Sequence, residues 1–288
     1  MRKNPVAKPF LKWAGGKRQL LPELKKYIQA KDFTNHTYYE PFLGGGALLF
    51  DLQPTRAVIN DKNQELINCY KVVKDSLDEL IEDLRKHQEN NSSDYFYAVR
   101  DLDRSSKKYQ SLSEVEKAAR IIYLNKTCYN GLFRVNSQGQ FNVPFGRYKK
   151  PNILDEAVLK AVSKYLNRPQ VKLFNMDFEA AVKKAKKGDF VYFDPPYDPV
   201  SDTSSFTGYD VNGFNRNEQE RLKQVFDDLT ARGCRVMLSN SRTDFILDLY
   251  QDYQETIKIV KATRNINSKA FKRGKVDEVL ILNYEIEI

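Results

Sequence analysis

Histidine is nearly absent from this chain: 288 residues contain two, His36 and His87, with three cysteines, Cys69, Cys128 and Cys234, scattered far apart. So few imidazoles exclude a histidine-based zinc or catalytic cluster as the expectation, and no metal site is expected. Three separated thiols make neither a disulfide framework nor a cysteine metal site, and they fit a reducing cytoplasm. No apolar run approaches the roughly 18 residues of a membrane span. Met1 to Phe10 is basic without the apolar stretch of a secretory signal. Internal repeats and low-complexity tracts are missing as well. Acid is missing from two places. Lys117 to Pro151 holds seven basic residues and no acidic one, and so does Thr256 to Val276. In a chain with 38 acidic and 47 basic residues, such gaps point to a surface that faces a polyanion. A merely solvated basic face is the plain alternative.

What is present is organised around Phe190-Val191-Tyr192-Phe193-Asp194-Pro195-Pro196-Tyr197. The apolar run mixes β-branched and aromatic residues, as a central strand does. Pro195 and Pro196 cannot donate to a ladder, so the strand must stop at Asp194. A carboxylate, an immobilised carbonyl and a ring then stand together at a strand's carboxyl end, the edge where open α/β sheets bind ligands. The chemistry this corner suits is transfer to a planar amine. The amine's lone pair is delocalised into its ring, and two acceptors, the Asp194 side chain and the Pro195 carbonyl, would draw it toward a tetrahedral, reactive nitrogen. Tyr197 would stack on the base. An ordinary Asp-Pro turn with a surface tyrosine reads the same four residues equally well.

Taken in order, the chain opens with Phe10 to Lys17, which holds its one tryptophan, Trp13, before Gly15, Gly16 and Lys17. Glycines there let the backbone approach a ligand closely. A helix is expected from Pro22 to about Gln29. Tyr38-Tyr39-Glu40 reads as a short strand running into Gly44-Gly45-Gly46, after which Ala47 to Phe50 opens a helix. That strand, glycine and helix order brings backbone N–H groups against a nucleotide-like ligand. Ala57 to Asp61 reads as a second strand ending in an acid, where such folds hold a ribose diol; capping of the helix near Asn63 is the other role open to Asp61.

From about Glu65 to Arg168 the β–α rhythm gives way to helices over 65–74, 77–87, 93–104 and 113–126. Ser113 and Glu116 form a capping-box pattern. A hairpin follows, with arms Arg134–Asn136 and Gln140–Val143 around Ser-Gln-Gly. Its Arg, Asn and Gln are the side chains that read base edges and grip phosphates. After a helix over 155–166, Val171 to Phe178 reads as a strand ending in Asp177-Phe178, suited to hold an adenine ring. A helix over 179–186 leads to the central strand. Residues 198–214 read as a mobile lid. Helices over 217–231 and 243–251, strands over 236–239, 256–260 and 278–284, and a hairpin tip at Arg264 to Lys275 complete the chain.

At this point the motifs resemble a known family. FLKWAGGK at 10–17, EPFLGGG at 40–46, IND at 59–61, YNGLFRVN at 129–136, FNVPFGRYKKP at 141–151 and DPPY at 194–197, in that order, resemble the Dam family of DNA adenine methyltransferases, which includes methylases of GATC-specific restriction–modification systems. The resemblance covers nearly the whole chain. It implies an α/β, Rossmann-like methyltransferase sheet with an inserted helical and β-hairpin target-recognition lobe, the catalytic domain at 1–64 and 169–288 and the lobe at 65–168. It implies S-adenosylmethionine as donor and adenine N6 in duplex DNA, within GATC, as acceptor, through base flipping and direct transfer with no covalent enzyme intermediate. Donor binding falls on Trp13, Ala14, Gly15, Lys17, Phe42, Gly44, Gly45, Asp61, Asp177, Phe178 and Asp194. Catalysis falls on Asp194, Pro195, Pro196 and Tyr197. DNA contacts fall on Lys12, Tyr129, Asn130, Leu132, Arg134, Pro144, Arg147 and Tyr148. The chain departs from some relatives at Phe133, before the recognition arginine, and in having GGG where others have GAG. Expected partners are double-stranded DNA and a cognate restriction endonuclease acting on the same site, with a cytoplasmic monomer as the default.

Three rivals frame the reading. A protein-glutamine methyltransferase uses a similar tetrapeptide on an amide nitrogen, but the acid-free lobe argues against it. A nicotinamide dehydrogenase explains a glycine run and an acid but not DPPY, and GxGxxG is absent. A catalytically dead DNA-binding module keeps the basic lobe but loses the donor or DPPY residues.

Overall fold

The structure is a computed structural model that describes residues 3–13, 15–29, 33, 35–200, 214–263 and 275–285. The lid segment and the tip at Arg264 to Lys275 lie almost wholly outside the described residues, as does Ala14. Seven strands form one mixed sheet in the order β3-β2-β1-β4-β5-β7-β6: β1 (Tyr38–Glu40), β2 (Ala57–Asn60), β3 (Val171–Phe174), β4 (Phe190–Phe193), β5 (Arg235–Ser241), β6 (Lys258–Thr263) and β7 (Lys275–Leu282). β1 runs parallel to β2 and to β4, and β4 parallel to β5. β7 is antiparallel to both β5 and β6. The chain steps outward from β1 on one side and from β4 on the other. The β1–β4 boundary is therefore the point where strand order reverses, the usual ligand crevice of an open α/β sheet. Among the described residues, no helix is long and apolar enough to cross a membrane.

The chain divides into two compact units. One comprises Gln19–Leu43, Pro54–Asn60 and Met176–Ile288. Among the described residues its helices are α1 (Leu21–Leu24), α9 (Phe178–Val182), α10 (Arg216–Ala231) and α11 (Asp244–Leu249). Every residue of β4 is buried, and Val191, Phe193, Val236 and Leu238 share a core with Phe178, Leu222, Phe226 and Ile281. The apolar run that predicts a central strand is buried on both faces, as a parallel strand should be.

The other unit comprises Met1–Arg18, Gly44–Gln53 and Asp61–Asn175. It holds β3 and the helices α2 (Ala47–Leu52), α3 (Gln64–Asp75), α4 (Leu77–Glu89), α5 (Ser93–Arg100), α6 (Ser106–Ser111), α7 (Glu114–Thr127) and α8 (Glu156–Leu166). α7 packs on α3, α4 and α5, and α8 on α3 and α4. The capping box read at Ser113 and Glu116 is present in full. The hairpin forms around a single bridge, Val135 to Phe141, with Asn136 N–H on Gln140 O at 2.9 Å.

Several expectations shift: the helix expected over 179–186 ends at Val182, and the strand expected over 256–260 runs from Lys258 to Thr263 after a 3-10 turn at Gln251–Thr256. The helix expected from Pro22 to Gln29 is a single turn, α1, followed by a 3-10 turn at Lys25–Tyr27. The helix expected over 93–104 ends at Arg100; a 3-10 turn and the separate α6 follow. The strand expected over 171–178 stops at Phe174, and Asp177 instead caps α9, accepting from Glu179 N–H at 3.0 Å. Side chains replace the ladder beyond Phe174: Asn60 Oδ1 accepts from Met176 N–H, and Asn60 Nδ2 donates to Met176 O and Pro41 O.

Candidate active site and nucleic-acid interface

The corner after β4 belongs to the sheet unit. Parallel pairing of Phe193 with Leu238 carries the strand to its last residue, and the prolines end it. Pro195 is buried, while Asp194, Pro196 and Tyr197 are half-buried. The Tyr197 hydroxyl donates to Glu278 Oε2 at 3.0 Å. Burial above all, then the charges of Asp194 and Glu278, pushes the Tyr197 phenol well above its ordinary pKa, so it stays protonated. Glu278 lies on β7 and is buried. Sequence reasoning missed it, together with Gln219 and Asn240, because a charged or amide residue in a strand or helix gives no sign of facing inward.

Phe42 follows β1 in the same unit. Its ring stacks on Phe178, centroids 5.3 Å apart at 29°, and meets Phe193 and Phe214 edge-on. The Arg221 guanidinium lies 4.2 Å over the Phe178 ring and grips Asp177 with both arms, each at 2.8 Å. Glu218 and Glu179 also accept from Arg221, at 2.7 and 3.0 Å. Together these acids raise its already high pKa. Arg221 escaped sequence reasoning. With Phe178 only 4% exposed, an adenine can stack there only if one of its ring neighbours yields.

The other unit carries the remaining residues assigned to donor binding. Asp61 is not the cap of α3: that role is taken by Asn63, whose side chain accepts from Leu66 N–H at 2.9 Å. The Asp61 carboxylate accepts from Gly44 N–H and Asn63 N–H, both at 2.9 Å. Burial raises its pKa against the pull of these N–H groups. Gly44 has φ +50°, and a Cβ there would lie 3.1 Å from Trp13 Cδ1. The turn thus needs glycine for both conformation and clearance. Trp13 stacks on Phe133, centroids 4.8 Å apart at 24°, which gives the Phe133 departure a packing role. The buried Lys17 donates to Gly15 O at 3.0 Å.

The hairpin region shares this unit. Tyr129 N–H donates to Pro144 O at 2.9 Å, and Asn130 takes φ +56° before Gly131. Asn125 bonds both backbone groups of Lys12, at 2.8 and 2.7 Å. The Lys12 ammonium sits 4.9 Å over the Tyr148 ring. Tyr129 and Tyr148 are exposed, at 52% and 38%, and Arg147 is exposed as well. Arg134 Nε and one terminal nitrogen both donate to Asn142 O, at 3.1 and 2.6 Å. Phe141 anchors the hairpin: its N–H meets Asp103 Oδ2 and its carbonyl meets Arg104, each at 2.7 Å. Burial pushes the Lys126 pKa down, opposed by the charge of Asp155 and aided by those of Lys12, Lys8 and Arg18.

The proline-bounded corner after β4 thus lies in the sheet unit and the basic, aromatic hairpin in the other. Comparison with known proteins shows the family. A type II methyltransferase of Lactococcus lactis subsp. cremoris, M1.LlaDCHI, is 49% identical over 285 residues, which cover 99% of this chain and 98% of the relative. The type II methyltransferase M.MjaIII of Methanocaldococcus jannaschii is 45% identical, across 96% of this chain and 99% of its own. A DNA adenine methylase of Escherichia coli K12 is 34% identical, across 98% and 96%. Residues 13–266 match the family described as D12 class N6 adenine-specific DNA methyltransferase, and the chain belongs to that family.

Proposed function

We propose that the methyl donor of this adenine-specific DNA methyltransferase is S-adenosylmethionine, that its target lies within GATC in duplex DNA, and that Asp194–Tyr197 is its amine-binding corner. The observation that carries the reading is the position of that corner: a carboxylate and a proline-locked carbonyl at the carboxyl end of β4, beside the reversal of strand order.

The residues fit such a donor. Asp61, oriented by two backbone N–H groups, presents acceptor oxygens suited to ribose hydroxyls. Phe178 and Asp177 would take the adenine ring and its amino group once a neighbour of the Phe178 ring and the Arg221 fork yield, while Trp13, Gly15, Lys17, Phe42, Gly44 and Gly45, with Ala14 outside the described residues, complete the proposed donor set. The bound donor supplies an electrophilic methyl group on a sulfonium. The chain does the rest. Asp194 and the Pro195 carbonyl accept from the amine and concentrate its lone pair, and the carbonyl is restrained by the proline rings before the amine arrives, which is where its catalytic value lies. Tyr197 holds the ring of the flipped adenine, whose unpairing costs about a few kcal/mol.

Residues 65–168 serve target recognition in this reading, and 1–64 with 169–288 serve catalysis. Arg134 exchanges the Asn142 carbonyl for a guanine edge, and Lys12, Tyr129, Asn130, Leu132, Pro144, Arg147 and Tyr148 support it. The enzyme works as a cytoplasmic monomer alongside a restriction endonuclease that cuts the same site. Incubation with labelled S-adenosylmethionine and unmethylated DNA of mixed sequence, followed by mapping of modified bases, tests the proposal. N6-methyladenine confined to GATC is the expected result; label at other sequences overturns the target, and no transfer overturns the donor and the corner together.

A further inference from the structure

The two prolines leave the corner with an anchoring problem. Neither has an N–H, and the ring of each locks φ. With both φ angles locked, the backbone from Asp194 to Tyr197 is steered through the ψ angles of Asp194, Pro195 and Pro196 and through φ of Tyr197. One end is fixed by the β4–β5 ladder at Phe193. The other end is held by two amide side chains. Gln219, on α10, donates from Nε2 to Pro196 O at 2.8 Å. Asn240, on β5, donates from Nδ2 to Gln219 Oε1 at 3.0 Å. Asn240 Oδ1 accepts from Asp198 N–H at 3.0 Å and from Ser241 N–H at 2.8 Å. The orientation of both amides is dictated: a carbonyl only accepts and a backbone N–H only donates. Gln219 and Asn240 are 2% and 0% exposed, so water does not compete for these bonds. Burying two amides carries a cost that apolar residues would avoid, and the bonds on residues 196 and 198 are what this pair gains in return. Asp198 is held too, by Arg216 Nε at 3.0 Å and Thr243 Oγ1 at 2.7 Å.

We propose that Gln219 and Asn240 form a relay that fixes the Pro196 peptide and thereby aims the Pro195 carbonyl, making them positioning residues for methyl transfer. The inference rests on the reading of Asp194–Tyr197 as the amine-binding corner. With φ locked at Pro196, holding its carbonyl restricts the plane of the peptide that precedes it, leaving ψ of Pro196 as the one free angle between them.

Substitution at Gln219 gives the test, read as single-turnover methylation of duplex DNA beside the affinities for DNA and donor. Gln219→Met keeps the length and removes the bonds; its rate is expected to fall at least about tenfold at every pH, with both affinities within about twofold of wild type. Gln219→Glu has a signature that loss of structure does not share. Protonated, the new carboxyl donates to Pro196 O and accepts from Asn240; ionised, it turns an acceptor against that carbonyl. Burial raises its pKa, so its rate relative to wild type should drop about tenfold between about pH 6 and about pH 8.5. If Gln219→Met does not fold, the pH ratio of Gln219→Glu decides alone. A flat ratio for Gln219→Glu, a wild-type rate in Gln219→Met, or losses confined to the affinities overturn the relay while wild type still methylates adenine. A wild-type protein that leaves adenine unmodified overturns the corner itself and the relay with it.

Discussion

The corner after β4 and the hairpin after α7 are built to opposite rules. At the corner, φ is locked twice, the flanking carbonyl and N–H are tied to buried amides, and the tyrosine hydroxyl is held by a buried carboxylate. At the hairpin, one bridge and a few backbone bonds hold the arms, and Tyr129, Arg134, Arg147 and Tyr148 all reach solvent. Under the proposed function, the difference follows from two tasks. Sharpening an amine needs acceptors that are already in place, because reorganisation would be charged to the barrier. Reading DNA needs side chains that can leave one partner for another, and in the proposed function the Arg134 fork, now on Asn142 O, exchanges that carbonyl for a base edge.

The comparison breaks if perturbing the corner acts mainly on binding. The largest expected effect is at Asp194: Asp194→Ala should lose about a hundredfold to ten-thousandfold in single-turnover methylation and keep its DNA affinity, measured by titration of labelled duplex. Equal loss of both would reduce Asp194 to a structural role. Arg134→Ala should show the converse. Its turnover on a good site changes less than its discrimination, which relaxes by about 1–3 kcal/mol at the contacted pair, read from competition between target and near-target duplexes. Unaltered discrimination would remove Arg134 from base reading.

The smallest effect concerns the packing behind the hairpin. His87 stacks on Tyr123 and bonds the Tyr95 hydroxyl at 2.8 Å, and burial pushes its pKa from 6.5 down to about 4. The fold therefore favours the neutral ring. That contribution is complete above pH 6.5 and is lost as pH falls toward about 4, worth on the order of 1 kcal/mol once partial exposure is allowed for. The stability difference between wild type and His87→Phe, from urea unfolding across this range, should shrink on acidification. A constant difference would contradict the assignment.

Much of this architecture is legible in local sequence. The run Phe190 to Phe193 before two prolines marks β4 and its end, and Ser113 with Glu116 marks the start of α7, because strand burial and capping depend on residues a few positions apart. Asp177-Phe178 misleads for the same reason: β-like residues precede it, and only Asn60, far back in the chain, shows that the ladder has already given way to side-chain bonds. The polar end of β5 is harder still. Ser239-Asn240-Ser241 reads as a strand's exit to solvent, yet all three are buried, because their partners lie on β4, on α10, on β7 and just after the prolines. The residues of the candidate site could be named from motif and resemblance. The groups that hold the corner, Gln219, Asn240 and Glu278, could not, since each acts through a contact at long sequence separation.

The central claim is that Asp194 and its neighbouring carbonyl meet the amine where the methyl group is delivered. The most direct measurement is a crystal structure of the protein with S-adenosylmethionine bound. Reacting atoms in a productive complex sit about 3–3.5 Å apart, so the account predicts a methyl carbon directed at the Asp194 corner and within about 5 Å of it. A methyl group turned away from Asp194, or about 10 Å or more from it, contradicts the account.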